Sequence, residues 1–106
     1  MKDNYLKLVD VNLSFFSVKL DKNEAIIEIL NMDNGEEVCT ININNIITLQ
    51  YQNNIDEDDI LPAYIGELEI LKNLDLDNEV FYLKMQGWVD LSLVCVNCYI
   101  NYPYTT

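Results

Sequence analysis

The sequence predicts an all-β domain, an antiparallel sandwich or partly open barrel of about six to seven strands. Three observations carry that prediction. Apolar residues recur with a period of two along most of the chain, as in Val9, Val11, Leu13 and Phe15 against Asp10, Asn12 and Ser14. Polar turn formers punctuate the runs, most clearly Asp33-Asn34-Gly35. Only one segment, residues 61–73, also fits a helical spacing.

The first strand covers the residues about Val9 to Leu20. Its alternation slips by one residue at Phe15-Phe16, which predicts a bulge or bend in a long strand. Asp21 to Glu24 is a polar turn. A second strand follows over 25–31, with Ala25, Ile27 and Ile29 on one face. Beyond the Asn-Gly turn, a third strand places Cys39, Ile41 and Ile43 together. Asn44-Asn45 breaks its phase, and the pattern resumes with Ile47, Leu49 and Tyr51.

Residues 63–71 admit two readings. Leu61, Ile65, Leu68 and Leu71 form a helical stripe behind Pro62, a residue favoured at a first helical turn. Gly66, Leu68 and Ile70 alternating with Glu67, Glu69 and Leu71 form a strand. Gly66 would cost about 1 kcal/mol inside a helix, which favours the strand. Lys72 to Glu79 reads as a polar loop. Residues 80–85 and 88–100 are two further strands joined at Gln86-Gly87. The second half of the last strand is apolar on both faces, which predicts a central strand covered on both sides. Most connections are short, so a meander-like order is expected. Residues 1–106 read as a single domain with 101–106 as a tail ending the sheet at Pro103.

Composition excludes several functions. The 106 residues carry 18 Asp+Glu against 6 Lys+Arg, all of them Lys, for a net charge of -12. Nucleic-acid binding needs clustered cations to neutralise phosphates, so no nucleic acid is expected as a partner. With no His, neither a His-based catalytic triad nor a His pH switch can be built. Half the residues are hydrophobic and 23% are charged, which argues against disorder. Residues 1–20 hold no apolar run like the ~7–15 residues of a secretory signal. No segment approaches the ~20 apolar residues of a membrane helix. An odd count of three cysteines then fits reduced thiols in the cytoplasm.

The candidate chemistry is thin. Cys95 and Cys98 form a C-x-x-C, but only Cys39 remains to complete a zinc set. Both lie in a strand pattern, which should send them to opposite faces as ordinary small core residues. Asp75 to Glu79 begins like a calcium loop, yet Val80 stands where Gly is needed and Gln86 where Glu is needed. Asp56-Glu57-Asp58-Asp59 are adjacent, which suits a solvated acidic loop better than a tuned acid/base couple. No catalytic residue, cofactor or metal is therefore expected, and the chain reads as a non-enzyme.

The acidic surface is the main functional signal. Self-repulsion at this density destabilises a small domain, and solubility is its plainest explanation. The functional explanation is a match to a basic protein partner, with charges that steer docking and aromatic anchors that hold it. On that reading the contact residues are Asp56, Glu57, Asp58, Asp59, Glu67 and Glu69, with Tyr64 and Trp88 as anchors.

The stretch from Asp56 to Glu67, DEDD-I-L-P-A-Y-I-G-E, and the final G-W-V-D-L-S-L-V-C strand resemble small acidic immunity proteins of bacterial toxin systems. The resemblance spans the second half of the chain. It implies a cytoplasmic protein that neutralises a cognate toxin by covering its basic active-site surface, with a nuclease the favoured target. It carries no catalytic residue. Two other functions compete. One is a phage-encoded inhibitor of a host defence protein that mimics nucleic acid. The other is an assembly domain that self-associates through a sheet edge, since Asn-rich strands carry few edge-blocking lysines.

Overall fold

In the computed structural model, residues 2–54, 62–74 and 79–103 are described. They form six strands: β1 (Lys2–Lys19), β2 (Glu24–Asn31), β3 (Glu37–Asn53), β4 (Ala63–Leu74), β5 (Glu79–Gly87) and β6 (Val89–Asn101). All pairings are antiparallel, and the order β1-β2-β3-β6-β5-β4 closes into a barrel. The all-β expectation holds, and the sheet is closed where a sandwich or partly open barrel was expected.

The order is two meanders, not one. β1-β2-β3 and β4-β5-β6 are each three-stranded ribbons, sealed by β3 against β6 and β1 against β4. The β3–β4 connection therefore passes from one ribbon to the other. β1 is long because both ribbons use it: residues from Lys2 to Leu13 pair with β4, and residues from Val11 to Lys19 pair with β2.

The core is one cluster in which Ile27, Ile29, Ile41, Ile43, Ile65, Leu68, Ile70, Leu91 and Leu93 are fully buried. Burying each such side chain contributes about 1.5–3 kcal/mol before entropy is counted. Among the described residues no polar or charged side chain is buried. Near one end of the barrel Phe16 stacks on Tyr51, with ring centroids 5.5 Å apart. At the other, Lys72 lies 5.7 Å from the Phe81 ring centroid and pairs with Glu79 at 3.6 Å.

Closing so small a barrel bends every long strand, and each bend shifts the inward phase by one residue. The slip expected at Phe15-Phe16 occurs: Leu13 and Phe16 both turn inward across a register shift between Leu13 and Phe15. A second bend sits at Asp10, in the left-handed region at φ 52, so Leu8 and Val11 face in while Val9 is exposed. In β3 the expected break at Asn45 is present, at φ 57, and a second shift at Ile47 turns that residue outward.

The same mechanism removes the helical alternative for 61–73. β4 is bulged at Gly66, so Ile65 and Leu68 both point inward, three residues apart. A single bulge thus reproduces a helical spacing within a strand. The region expected as a polar loop from Lys72 is shorter, because β4 continues to Leu74 and β5 begins at Glu79.

Two expectations for the last strand are corrected. Its second half is not covered on both sides: β5 pairs with β6 only over Leu91 to Cys95, and Val96 and Tyr99 are 41% and 54% exposed. Cys95 and Cys98 do not face opposite ways either. Both are buried, because β6 coils in step with the Asn44-Asn45 break, pairing Cys95 with Ile46 and Cys98 with Ile43.

Candidate protein-binding surface

The β5–β6 turn organises one end of the barrel. Gly87 lets the turn cross β4 at short range: a Cβ there would fall 2.5 Å from the Tyr64 carbonyl oxygen and 2.7 Å from Ile65 Cα. That approach allows the Trp88 N–H to donate to the Tyr64 carbonyl at 2.9 Å. On the other side the Asn54 N–H donates to the Trp88 carbonyl at 2.8 Å. Trp88 is thus clamped between the end of β3 and the start of β4. Its half-buried side chain packs against the core.

Asp90 reinforces the clamp. Its Oδ1 accepts the Gly87 N–H at 3.3 Å, and its Oδ2 accepts the Asn54 side-chain amide at 2.9 Å. Tyr64 acts on the neighbouring bend. Its hydroxyl donates to Asp10 Oδ1 at 2.5 Å, while its ring lies over the open face of Gly66. The hydrogen bond that the phenol donates to Asp10 holds the Tyr64 pKa above its ordinary value near 10.

The predicted contact residues fall into three groups. Asp56, Glu57, Asp58 and Asp59 lie outside the described residues; the segment that holds them is flanked by Asn54 and Pro62. Tyr64, Glu67 and Trp88 do lie at this end. Glu69 differs from Glu67. Both are on the outer face, but Glu69 is paired across strands with Lys7 and Lys84, whereas Glu67 is opposite Val9 and Gln86. Lysines stand opposite Glu69 on both neighbouring strands and lower the local negative charge there, while neither cross-strand neighbour of Glu67 is a cation.

Two carboxylates of this end were not singled out from the sequence. Asp10 is held by Tyr64, and Asp90 by the turn. Asp90 carried a signal, an Asp three residues after a Gly, a spacing suited to a turn bond, whereas Asp10 sits in step with the alternation of Val9 and Val11. The described carboxylates at this end are therefore Asp10, Glu67 and Asp90. Among the described lysine side chains, Lys7 and Lys84 stand beside Glu69 and Lys72 beside Glu79, while Lys19 and Lys22 lie at the β1–β2 turn, at the end of the barrel where β1, β3 and β5 all finish.

The cysteines offer little chemistry. All three are free and buried. Burial, with Glu37 nearby, pushes the Cys39 thiol up to about 11. Cys98 is also raised, first because its S–H donates to Cys95 and then by burial. Cys95 is shifted down by that same bond, while the thiols of Cys39 and Cys98, held protonated, are poor ligands and nucleophiles. Among the described residues no group of three or more Cys, Asp or Glu could hold a metal. The calcium-like Asp75 to Asn78 stretch lies outside the described residues.

No protein-family model and no curated protein matches the sequence. Among solved structures, the crystal structure of an uncharacterized protein from Neisseria gonorrhoeae superposes with a TM-score of 0.70. The two are 16% identical, over 94% of this chain and 96% of that one. At that identity the likeness shows the barrel alone. No helix among the described residues is long and apolar enough to cross a membrane.

Proposed function

We propose that the Trp88 end of the barrel is a docking surface for a basic protein, and that the chain is a non-catalytic immunity protein. Its partner on this reading is a cognate toxin, a nuclease in preference, whose substrate-binding surface it covers. The observation that supports this most is the pattern of uncompensated charge. Asp10, Glu67 and Asp90 face outward around a clamped turn, while Lys7 and Lys84 stand beside Glu69 and Lys72 beside Glu79.

The mechanism needs no reaction. A nuclease must present cations where phosphates bind, and carboxylates held on a rigid frame can occupy those places. Charge of opposite sign raises the encounter rate and orients docking. Hydrogen bonds from Tyr64, Asn54 and Gly87 hold Asp10 and Asp90 in place, so little side-chain freedom is lost on binding. The free, buried thiols suit a reducing compartment, in line with a cytoplasmic site of action.

The test is co-expression with the product of the neighbouring gene, followed by complex purification and growth rescue. The reading expects rescue, a complex that weakens steeply with added salt, and a slower association for Glu67→Lys than for Glu69→Lys. Failure to rescue or to form a complex counts against the immunity role. Equal behaviour of the two Glu variants removes the Trp88 end as the contact surface.

A further inference from the structure

The charges are divided between two halves of the barrel. Residues 38–55 and 91–106 contain no Asp, Glu or Lys, in a chain of net charge -12. Those residues are most of β3 and β6, which pair with each other from Thr40↔Asn101 to Asn53↔Val89. The fold therefore gathers its uncharged sequence into one two-stranded ribbon. Of the large apolar side chains left exposed, Ile47, Tyr51, Val96 and Tyr99 lie on it, and Tyr102 follows directly.

The ribbon also carries an open edge. β6 pairs with β3 through to Asn101, but with β5 only as far as Cys95. β5 continues past Phe81 to Val80 and Glu79, which pair with β4, and among the described residues no strand pairs with Val96–Asn101 on the β5 side. That edge has none of the usual guards against pairing: no Lys, no Pro and no inward charge.

We propose that the Val96–Asn101 edge of β6 pairs antiparallel with the same edge of a second copy, joining two barrels through a continuous sheet. Two observations select a second copy as the occupant. An antiparallel edge is self-complementary about a two-fold axis, at which a residue in the middle of the edge, Cys98 or Tyr99, faces its own copy. And two bodies each at -12 repel, so a charge-free ribbon is an approach that costs little electrostatic energy. The edge lies away from the Trp88 turn, since Val96–Asn101 is the far half of β6, and pairing leaves both acidic ends open. The proposal does not rest on the immunity reading.

The experiment is sedimentation velocity of the full chain over a wide concentration range at fixed physiological salt. The expected species has twice the 12.3 kDa chain mass. Tyr99→Lys sets two like charges next to the two-fold axis and should return the protein to a monomer, as should Val96→Lys. Leu20→Lys, at a turn position 87% exposed, should stay dimeric. Each of these changes makes the chain less negative, so loss of the dimer in the edge variants alone runs opposite to a simple net-charge effect. Unchanged far-UV circular dichroism and melting show that each variant folds. Hydrogen exchange on the wild type gives a second readout, with amides in 96–101 becoming more protected as concentration rises. A wild type that stays at 12.3 kDa throughout, an edge variant that dimerises normally, or exchange in 96–101 that ignores concentration overturns the proposal.

Discussion

The Tyr64 hydroxyl donates a hydrogen bond to Asp10 Oδ1 at 2.5 Å, tying the bend of β1 to the bulge of β4. Asp10 is opposite Gly66 in the β1–β4 ladder, and the Tyr64 ring covers that glycine. One aromatic side chain thus supports both places where the barrel turns its corner.

Removing that hydroxyl should have a pH-dependent effect. The folded-state pKa of Tyr64 lies above its ordinary value near 10, so folding favours the protonated phenol. The stabilisation is complete below the unfolded pKa and is lost as pH rises through the folded one. Tyr64→Phe should lower the urea midpoint at pH 7, and its deficit against the wild type should shrink above pH 10. A deficit that stays constant through that range would remove the assigned bond.

Gly87 and Gly66 should respond differently to the same substitution. Gly87→Ala drives a methyl to within 2.5 Å of a backbone oxygen that belongs to the Trp88 clamp. We expect a loss of about 2–3 kcal/mol or more, the upper range for overpacking. Gly66→Ala meets nothing closer than 3.6 Å and should cost under about 1 kcal/mol. Paired chemical denaturation curves check this, and equal losses would contradict the close crossing.

Asp90 should matter to the turn as well as to binding. Asp90→Ala removes the acceptors of the Gly87 N–H and the Asn54 amide, and should destabilise by about 1 kcal/mol. Asp90→Asn retains an acceptor for one of them and should fall between. Faster amide exchange at Gly87 in the Ala variant is the local signature.

The thiols should be silent in the folded protein. Cys39, Cys95 and Cys98 are buried, and Cys39 titrates only near 11. A thiol reagent at pH 8 should label none of them in native buffer and all of them in denaturant. Because the folded pKa of Cys39 is raised from 9.0, its stabilising share is complete below 9 and fades as pH climbs toward 11. Rapid native labelling at pH 8 would show that the barrel opens locally at β3 or β6.

Much of the barrel was legible from local pattern. Ala25, Ile27 and Ile29 alternate without interruption, and β2 is straight with those three inside. Phe15-Phe16 and Asn44-Asn45 announced their bends because adjacent like residues break a period of two. The bend at Asp10 was hidden: Val9 and Val11 keep the alternation on paper, yet a positive φ between them turns Val9 out. Gly66 misled for the same reason, its bulge imitating a helical step. Tyr64, Glu67 and Trp88 were placed at one end by the fold, whereas Glu69 was separated from Glu67 only by its neighbours Lys7 and Lys84.

By itself the sequence determined the strand class, the turn positions, the excess of carboxylate and the absence of His and Arg chemistry. These depend on side-chain period and composition, which are local properties. Tertiary structure alone decided that β3 meets β6 and β1 meets β4, because that choice depends on which edges remain free once two ribbons have formed. It also gathered Asp10, Glu67 and Asp90 at the Trp88 end and joined the charge-free residues 38–53 and 91–101 into one ribbon of β3 and β6. Strands far apart in sequence must be brought together before either surface exists.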